Sequence, residues 1–329
     1  MNPEVVYIIF GVIIAMELAI HVFSIVVIVP IFERKLPFEV TSVEPLDAVE
    51  RVSIPASDGQ TLRGSLHMPH ETPLGVVIFC PEFKGTHWSA LDYCQGLLDF
   101  GFAILAFDFR GQGDSDLIPG YEPLHWCTDF EVRDVQSVMQ FVRSHSALSE
   151  LPIGLMGVSR GANAALAVAA ADDSVECVVA DGAFTTDTLM VLYAARWVRY
   201  TTPWWFFLPE WHLHISCQLA RFVSQFRRSV RHPKLERWLP DLRRRSVLLI
   251  AGERDSYVPP ESSTRIQKRI GGNSKVMFVP GAKHNSARKA NPQDYDKRVV
   301  DLFLNMVPLH QHPSEDAIAG RTPRLQPVD

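Results

Sequence analysis

The stretch over residues 5–32, VVYIIFGVIIAMELAIHVFSIVVIVPIF, constrains this chain more than any other. Nineteen of its residues are Val, Ile, Leu or Phe. A helix rises ~1.5 Å per residue and must cross ~30 Å of hydrocarbon, so about 20 apolar residues suffice. Each of those nineteen favours the bilayer centre by roughly 0.3–0.6 kcal/mol, and together they outweigh the roughly 2.5–3.5 kcal/mol that one central acid costs. The polar exceptions, Glu17 and His21, sit four apart on one helical face and are spaced to hydrogen-bond each other. Such a pair reads either as a functional site or as a polar helix-packing face. A cleaved signal peptide fits poorly. No Lys or Arg precedes the run, the run is too long, and no A-x-A site follows it. The expectation is an uncleaved single-pass anchor over residues 1–35. Arg34 and Lys35 follow it and nothing basic precedes it, so the positive-inside rule puts the following domain on the cytoplasmic side.

The remainder is globular in composition. Apolar residues make up 47% of the 329 and charged residues 21%, enough for a sizeable core and too apolar for a disordered chain. The net charge of −5, without a long basic run, argues against a nucleic-acid binder. The five cysteines are scattered, with no C-x-x-C pair, which excludes a disulfide scaffold or a Cys-based zinc site and suits a reducing compartment.

Strand and helix signals alternate after a Pro-containing linker. Segments 50–55 and 61–68 read as two strands joined by an Asp58-Gly59 turn. The continuous apolar run at 75–80 reads as a strand buried on both faces, 102–107 as another buried strand, and 153–158, 175–180, 247–251 and 275–279 as further strands. Helical spacing marks 88–100, closed by Gly101, then 129–145, 161–171, 260–270 and 291–306. This alternation predicts an α/β fold, a mostly parallel sheet with helices on both faces. The boundaries expected are one large α/β domain over 36–307 and a Pro-rich, polar tail over 308–329 that remains disordered.

Residues 185–245 break the alternation and read as a helical insertion at the sheet's C-terminal edge. The insertion carries Trp197, Tyr200, Trp204, Trp205, Phe206, Phe207 and Trp211, with eleven Lys/Arg against four Asp/Glu. It reads either as contact with an anionic bilayer surface or as a packed lid with a solvated basic face.

The chemistry centres on Gly157-Val158-Ser159-Arg160-Gly161, which directly follows a buried strand and precedes a helix. This is the context in which G-x-S-x-G holds a serine on a sharp turn, clear of the sheet. A serine hydroxyl is a weak nucleophile until a base takes its proton. His284, in Pro280-Gly281-Ala282-Lys283-His284, follows the final strand and is the candidate base. Asp255, in Gly252-Glu253-Arg254-Asp255, follows the strand before it and is the candidate acid, with turn capping as its alternative role and Asp181 as its rival. All lie where open α/β sheets place their sites. Acyl transfer needs two N–H donors for its oxyanion. Arg160, after the nucleophile, and Phe83, in Pro81-Glu82-Phe83-Lys84-Gly85, are the candidates.

With these motifs, residues 50–307 resemble the α/β-hydrolase superfamily. The loop Asp108-Phe109-Arg110-Gly111-Gln112-Gly113-Asp114-Ser115 is similar to the D-x-R-G-x-G-x-S loop of its serine-aminopeptidase-like and lysophospholipase-like branch. The resemblance implies an eight-stranded, mostly parallel sheet with a lid between strands six and seven. One departure stands out: Pro81-Glu82 occupies the place of the common His-Gly. Either Glu82 faces away from the oxyanion or the hole is built differently.

The expected function is a membrane-anchored serine hydrolase acting on esters or thioesters of amphiphilic acyl groups, with no cofactor, metal or nucleic acid. The alternatives are an aminopeptidase-like enzyme, which needs an insertion acid such as Glu210 or Asp187, and a non-catalytic binding protein on the same scaffold.

Overall fold

The computed structural model describes residues 2–35, 49–201 and 210–312. The linker at 36–48, the aromatic residues Trp204 to Phe207 and the expected tail beyond 312 lie outside the described residues, as does the Tyr200 side chain. The chain divides into two compact units. One comprises Pro37–Thr185 and His232–Asp329; the other comprises Met1–Leu36 and Thr186–Arg231.

The first unit is built on one sheet of eight strands among the described residues. They are β1 (Glu50–Pro55), β2 (Thr61–His67), β3 (Val76–Cys80), β4 (Ala103–Phe107), β5 (Ile153–Val158), β6 (Val175–Asp181), β7 (Ser246–Gly252) and β8 (Ser274–Val279). Their spatial order is β1-β2-β4-β3-β5-β6-β7-β8. Only the β1/β2 and β2/β4 pairs are antiparallel. Side chains alternate faces along a strand. Val76, Ile78 and Cys80 therefore enter one core cluster, and Val77 and Phe79 the other. A strand with helices on both sides must be apolar at every position, which is why β3, β4 and β5 are uninterrupted apolar runs. Each aliphatic side chain so buried contributes roughly 1.5–3 kcal/mol.

Helices α2 (Leu91–Phe100) and α10 (Pro292–Phe303) cover one face. Helices α3 (Asp129–Ser144), α4 (Arg160–Ala171), α7 (Leu235–Trp238) and α8 (Glu261–Ile270) cover the other. A capping box starts α3, with Thr128 Oγ1 accepting from the Phe130 N–H (3.2 Å) and Glu131 Oε2 from the Thr128 N–H (2.7 Å). Two expected helices are shorter than their periodicity implies. Residues 87–90 form a 3₁₀ turn before α2, because the His87 N–H is held by Asp108 Oδ1 at 2.6 Å. The last helix begins at Pro292, after a separate turn, α9 (Ala287–Ala290), because Asn291 caps it and proline suits a first turn.

The second unit holds α1 (Pro3–Phe32), α5 (Thr186–Thr201) and α6 (Glu210–Arg228). At 30 residues, α1 is long and apolar enough to cross a membrane. The expected Glu17–His21 pair within α1 is not formed. Each side chain turns instead to α6, which packs alongside: His21 Nδ1 and Ser216 Oγ share a hydrogen bond at 2.9 Å, and Glu17 Oε2 lies 3.2 Å from His212 Nδ1. The α5 helix is tied to α6 by Arg221 Nε and Asp187 Oδ1 at 2.8 Å.

Candidate active site

The turn between β5 and α4 holds Ser159 at φ 51°, ψ −115°, a backbone conformation that costs a non-glycine residue about 1–3 kcal/mol. The glycines either side make the turn sterically possible. A Cβ on Gly157 would sit 2.4 Å from the Gly161 carbonyl oxygen, and one on Gly161 would sit 2.1 Å from that of Cys80. The Ser159 N–H donates to the Asp181 carbonyl at 2.7 Å, pinning the turn to the end of β6.

His284, on the loop after β8, receives the Ser159 hydroxyl at Nε2 (3.0 Å). Its Nδ1 donates to Asp255 Oδ2 at 2.6 Å. The other oxygen of Asp255 accepts the N–H groups of Tyr257 and Val258, each at 2.8 Å. Asp255 thus caps its own turn and orients the imidazole, combining the two roles the sequence left as alternatives. The rival acid, Asp181, is bound elsewhere, by the Tyr295 hydroxyl at 3.0 Å. Burial pushes its carboxyl up to about 7.

Arg160 opens α4, so its N–H is among those a helix's first turn leaves without an intrahelical acceptor. Its guanidinium is fully buried between the rings of Phe83 (5.5 Å) and Phe109 (5.1 Å). Nη1 donates to the Leu124 carbonyl at 2.9 Å and lies 3.4 Å from Glu131 Oε1. The two candidate oxyanion residues are therefore joined through their side chains, a contact that spacing did not reveal. Glu82 is held within its own loop and by α2. Its carboxyl is buried against Gly85, where a Cβ would come within 2.7 Å, and Oε1 accepts from the Tyr93 hydroxyl at 3.2 Å. Burial holds it above the usual carboxylate range, which favours the neutral acid.

The Asp108–Ser115 loop is closed by its own turn chemistry. Asp108 accepts from the N–H groups of His87 (2.6 Å) and Asp114 (2.8 Å), and Arg110 Nε donates to Asp134 Oδ1 at 2.8 Å. His87, Asp108 and Asp114 are close enough to share a cation, yet both Asp108 oxygens are already committed to backbone donors. Sequence reasoning passed over Tyr93 and Tyr295, which anchor Glu82 and Asp181. They sit at apolar helix positions, where a tyrosine reads as core.

A mostly parallel sheet bearing a serine on a strand-to-helix turn, with an acid and then a histidine on later strand ends, defines the α/β-hydrolase architecture. The alpha/beta hydrolase family profile matches residues 77–302, and the protein belongs to that family. It is 26% identical over 268 residues to the uncharacterized protein YqkD of Bacillus subtilis (strain 168), covering 80% of this chain and 82% of that one. The Pyrococcus furiosus esterase PF2001 shares its fold with a TM-score of 0.61 at 22% identity, over 83% of this chain and 98% of that one. Est1E of Butyrivibrio proteoclasticus, solved with ferulic acid bound, does so with a TM-score of 0.55 at 18% identity, over 78% and 98%.

Proposed function

We propose that this protein is a membrane-anchored serine hydrolase that cleaves esters or thioesters of amphiphilic acyl groups. The hydrogen-bond chain from Ser159 through His284 to Asp255 carries the proposal. Ser159 Oγ attacks the carbonyl carbon while His284 Nε2 takes its proton. Asp255 keeps the imidazole in the tautomer with its proton on Nδ1 and stabilises the imidazolium that forms. The N–H groups of Phe83 and Arg160 bind the oxyanion of the tetrahedral intermediate. Collapse breaks the bond to the leaving alcohol or thiol, which takes its proton from His284 Nε2. Water, deprotonated by the same nitrogen, then hydrolyses the acyl-serine. Fold relatives described as esterases agree with an ester substrate.

The anchor is α1 within residues 1–35, the hydrolase domain spans 36–307 with its insertion at about 185–245, and 308–329 is a tail. Arg34 and Lys35 favour a cytoplasmic domain. An aminopeptidase reading loses one of its two insertion acids, because Asp187 is paired with Arg221.

A panel of nitrophenyl esters and acyl thioesters of increasing chain length, given to the full-length protein in detergent, tests the proposal. Turnover that rises with chain length and vanishes in Ser159→Ala is expected. Turnover that survives in Ser159→Ala, or hydrolysis of aminoacyl amides alone, contradicts it.

A further inference from the structure

Helix α6 sorts its residues in the reverse of the usual order. Its buried positions are His212, Ser216, Cys217, Ala220, Arg221 and Ser224. Four of these, at 212, 216, 220 and 224, are four residues apart and form one narrow stripe of small and polar side chains. Its exposed positions include Trp211, Ile215, Leu219, Phe222 and Phe226, a stripe of large apolar groups along the opposite side. Phe222 is 66% exposed and Phe226 82%. A helix in water buries its apolar face. Helices in lipid instead meet through small residues with polar side chains bonded across the seam, since hydrocarbon takes the apolar groups.

The neighbour of this seam is α1. Glu17 faces His212, His21 faces Ser216, and Glu33 Oε2 lies 3.6 Å from Arg227 Nη2. The contacts run in the same order along both chains, so the helices are parallel and in step. Residues 3–16 of α1 are exposed on all sides, and packing against α6 begins at Glu17. Those 14 residues span only about 21 Å, whereas the hydrocarbon is ~30 Å thick. A bilayer crossed by α1 must therefore extend beyond residue 16. About 20 residues counted back from Phe32, beside the cationic end, reach Ile13, so the span lies level with α6 from its first turn to Phe226. The apolar stripe of α6 continues the apolar surface of α1 at that depth. At the Phe32 end, Arg34 and Lys35 after α1 lie level with Arg227 and Arg228, a cationic end suited to anionic headgroups.

We infer that α6 is immersed in the membrane beside α1, its Trp211–Phe222 face in contact with lipid acyl chains and its His212–Ser224 face sealed against α1. The inference rests on α1 being a membrane span. The insertion then contributes a second membrane-embedded helix and acts as a fixed part of the anchor.

The full-length protein, reconstituted in phosphatidylcholine–phosphatidylglycerol vesicles, tests this with a benzophenone amino acid placed singly at Leu18, Ile215, Phe222 or Phe278. The last is a half-exposed residue of β8 and the water-side control. Lipid adducts at Leu18, Ile215 and Phe222, at least about tenfold above Phe278, are expected after irradiation. Adducts at Leu18 without adducts at Ile215 and Phe222 overturn the immersion of α6 and leave the anchor standing. Cross-links from Phe222 to a second copy of the chain, in place of lipid, also overturn it. Absence of lipid at Leu18 overturns the anchor itself.

Discussion

Helices α3 and α6 are of similar length and arrange their residues in opposite senses. The α3 helix turns Val135, Val138, Met139 and Val142 into the core and leaves Gln136, Gln140 and Arg143 outside. In α6, Ser216, Ala220 and Ser224 face inward while Phe222 and Phe226 face outward. The same contrast separates the two units. In the sheet unit Arg110 and Asp134 are buried as a bonded pair, while the outer face of α3 is polar. In the helical unit the polar groups of α1 face a partner helix and the apolar ones face out. A polar group goes where its hydrogen bonds are cheapest to satisfy, and an apolar group goes where water is absent. Opposite sorting within one chain is what the inferred immersion of α6 in lipid requires.

If the chemistry belongs to the sheet unit alone, its largest effects lie at the elbow. Ser159→Ala and His284→Ala should each lower kcat by at least about 10⁴-fold, and Asp255→Asn by about 10⁴, from loss of the correct imidazole tautomer. Asp181→Asn should lower it by less than about tenfold, because Asp181 bonds Tyr295 and not the histidine. Steady-state ester hydrolysis separates the four. Equal losses at Asp181 and Asp255 would reverse the assignment of the acid.

Stability should show the next largest effect, again in the sheet unit. Asp134 and Arg110 are both fully buried, and Asp134 accepts Arg110 Nε and the Arg110 backbone N–H. Asp134→Ala leaves Asp58 as the remaining carboxylate partner of the buried Arg110 and should cost about 3 kcal/mol, the low end for a broken buried pair, read from urea denaturation in detergent. A change below about 1 kcal/mol would mean that water reaches Arg110.

A smaller effect is pH-dependent. Because burial raises Asp181 to about 7, the folded state binds its proton more tightly than the unfolded state does. Asp181 therefore has no unfavourable effect below the ordinary carboxylate range, and an increasing one as pH rises through that range to about 7. Asp181→Asn keeps an acceptor for Tyr295 and removes the ionisation. Its melting temperature relative to wild type should rise between about pH 4 and pH 8. A constant difference across that range would show that the Asp181 carboxyl titrates alike in the folded and unfolded states.

The smallest effect belongs to the helical unit. A double-mutant cycle of His21→Ala and Ser216→Ala should give a coupling of about 0.6 kcal/mol, with about 1.7 as a ceiling, since groups freed in a membrane find other partners. Thermal denaturation in lipid nanodiscs measures it. A coupling of several kcal/mol would mark a metal or a charged pair at Glu17, His21 and His212, whose ligand atoms lie within 4.8 Å of one another.

The centre of the sheet was legible in the sequence because strands buried on both faces, such as β3 and β4, leave continuous apolar stretches, and each of the eight strands begins and ends within a residue or so of the segment read for it. Ser159, Asp255 and His284 could be singled out because each lies shortly after the end of a strand. Phe83 and Arg160 could be named as neighbours, but not the stacking of their side chains. The partners of Glu17 and His21 were not legible: they lie 195 positions away, and helical periodicity reports only contacts within one helix. The direction of Glu82 was equally hidden, because Tyr93, which holds it, looks like any apolar position on α2.

The most direct measurement is the rate of fluorophosphonate labelling of the full-length protein in detergent, compared across wild type, Ser159→Ala, His284→Ala and Phe222→Leu. Stoichiometric labelling of wild type and Phe222→Leu at Ser159, lost in the other two, is the predicted result. Folded wild-type protein that takes up no label, or label that persists in Ser159→Ala, would contradict a serine hydrolase built on Ser159, His284 and Asp255.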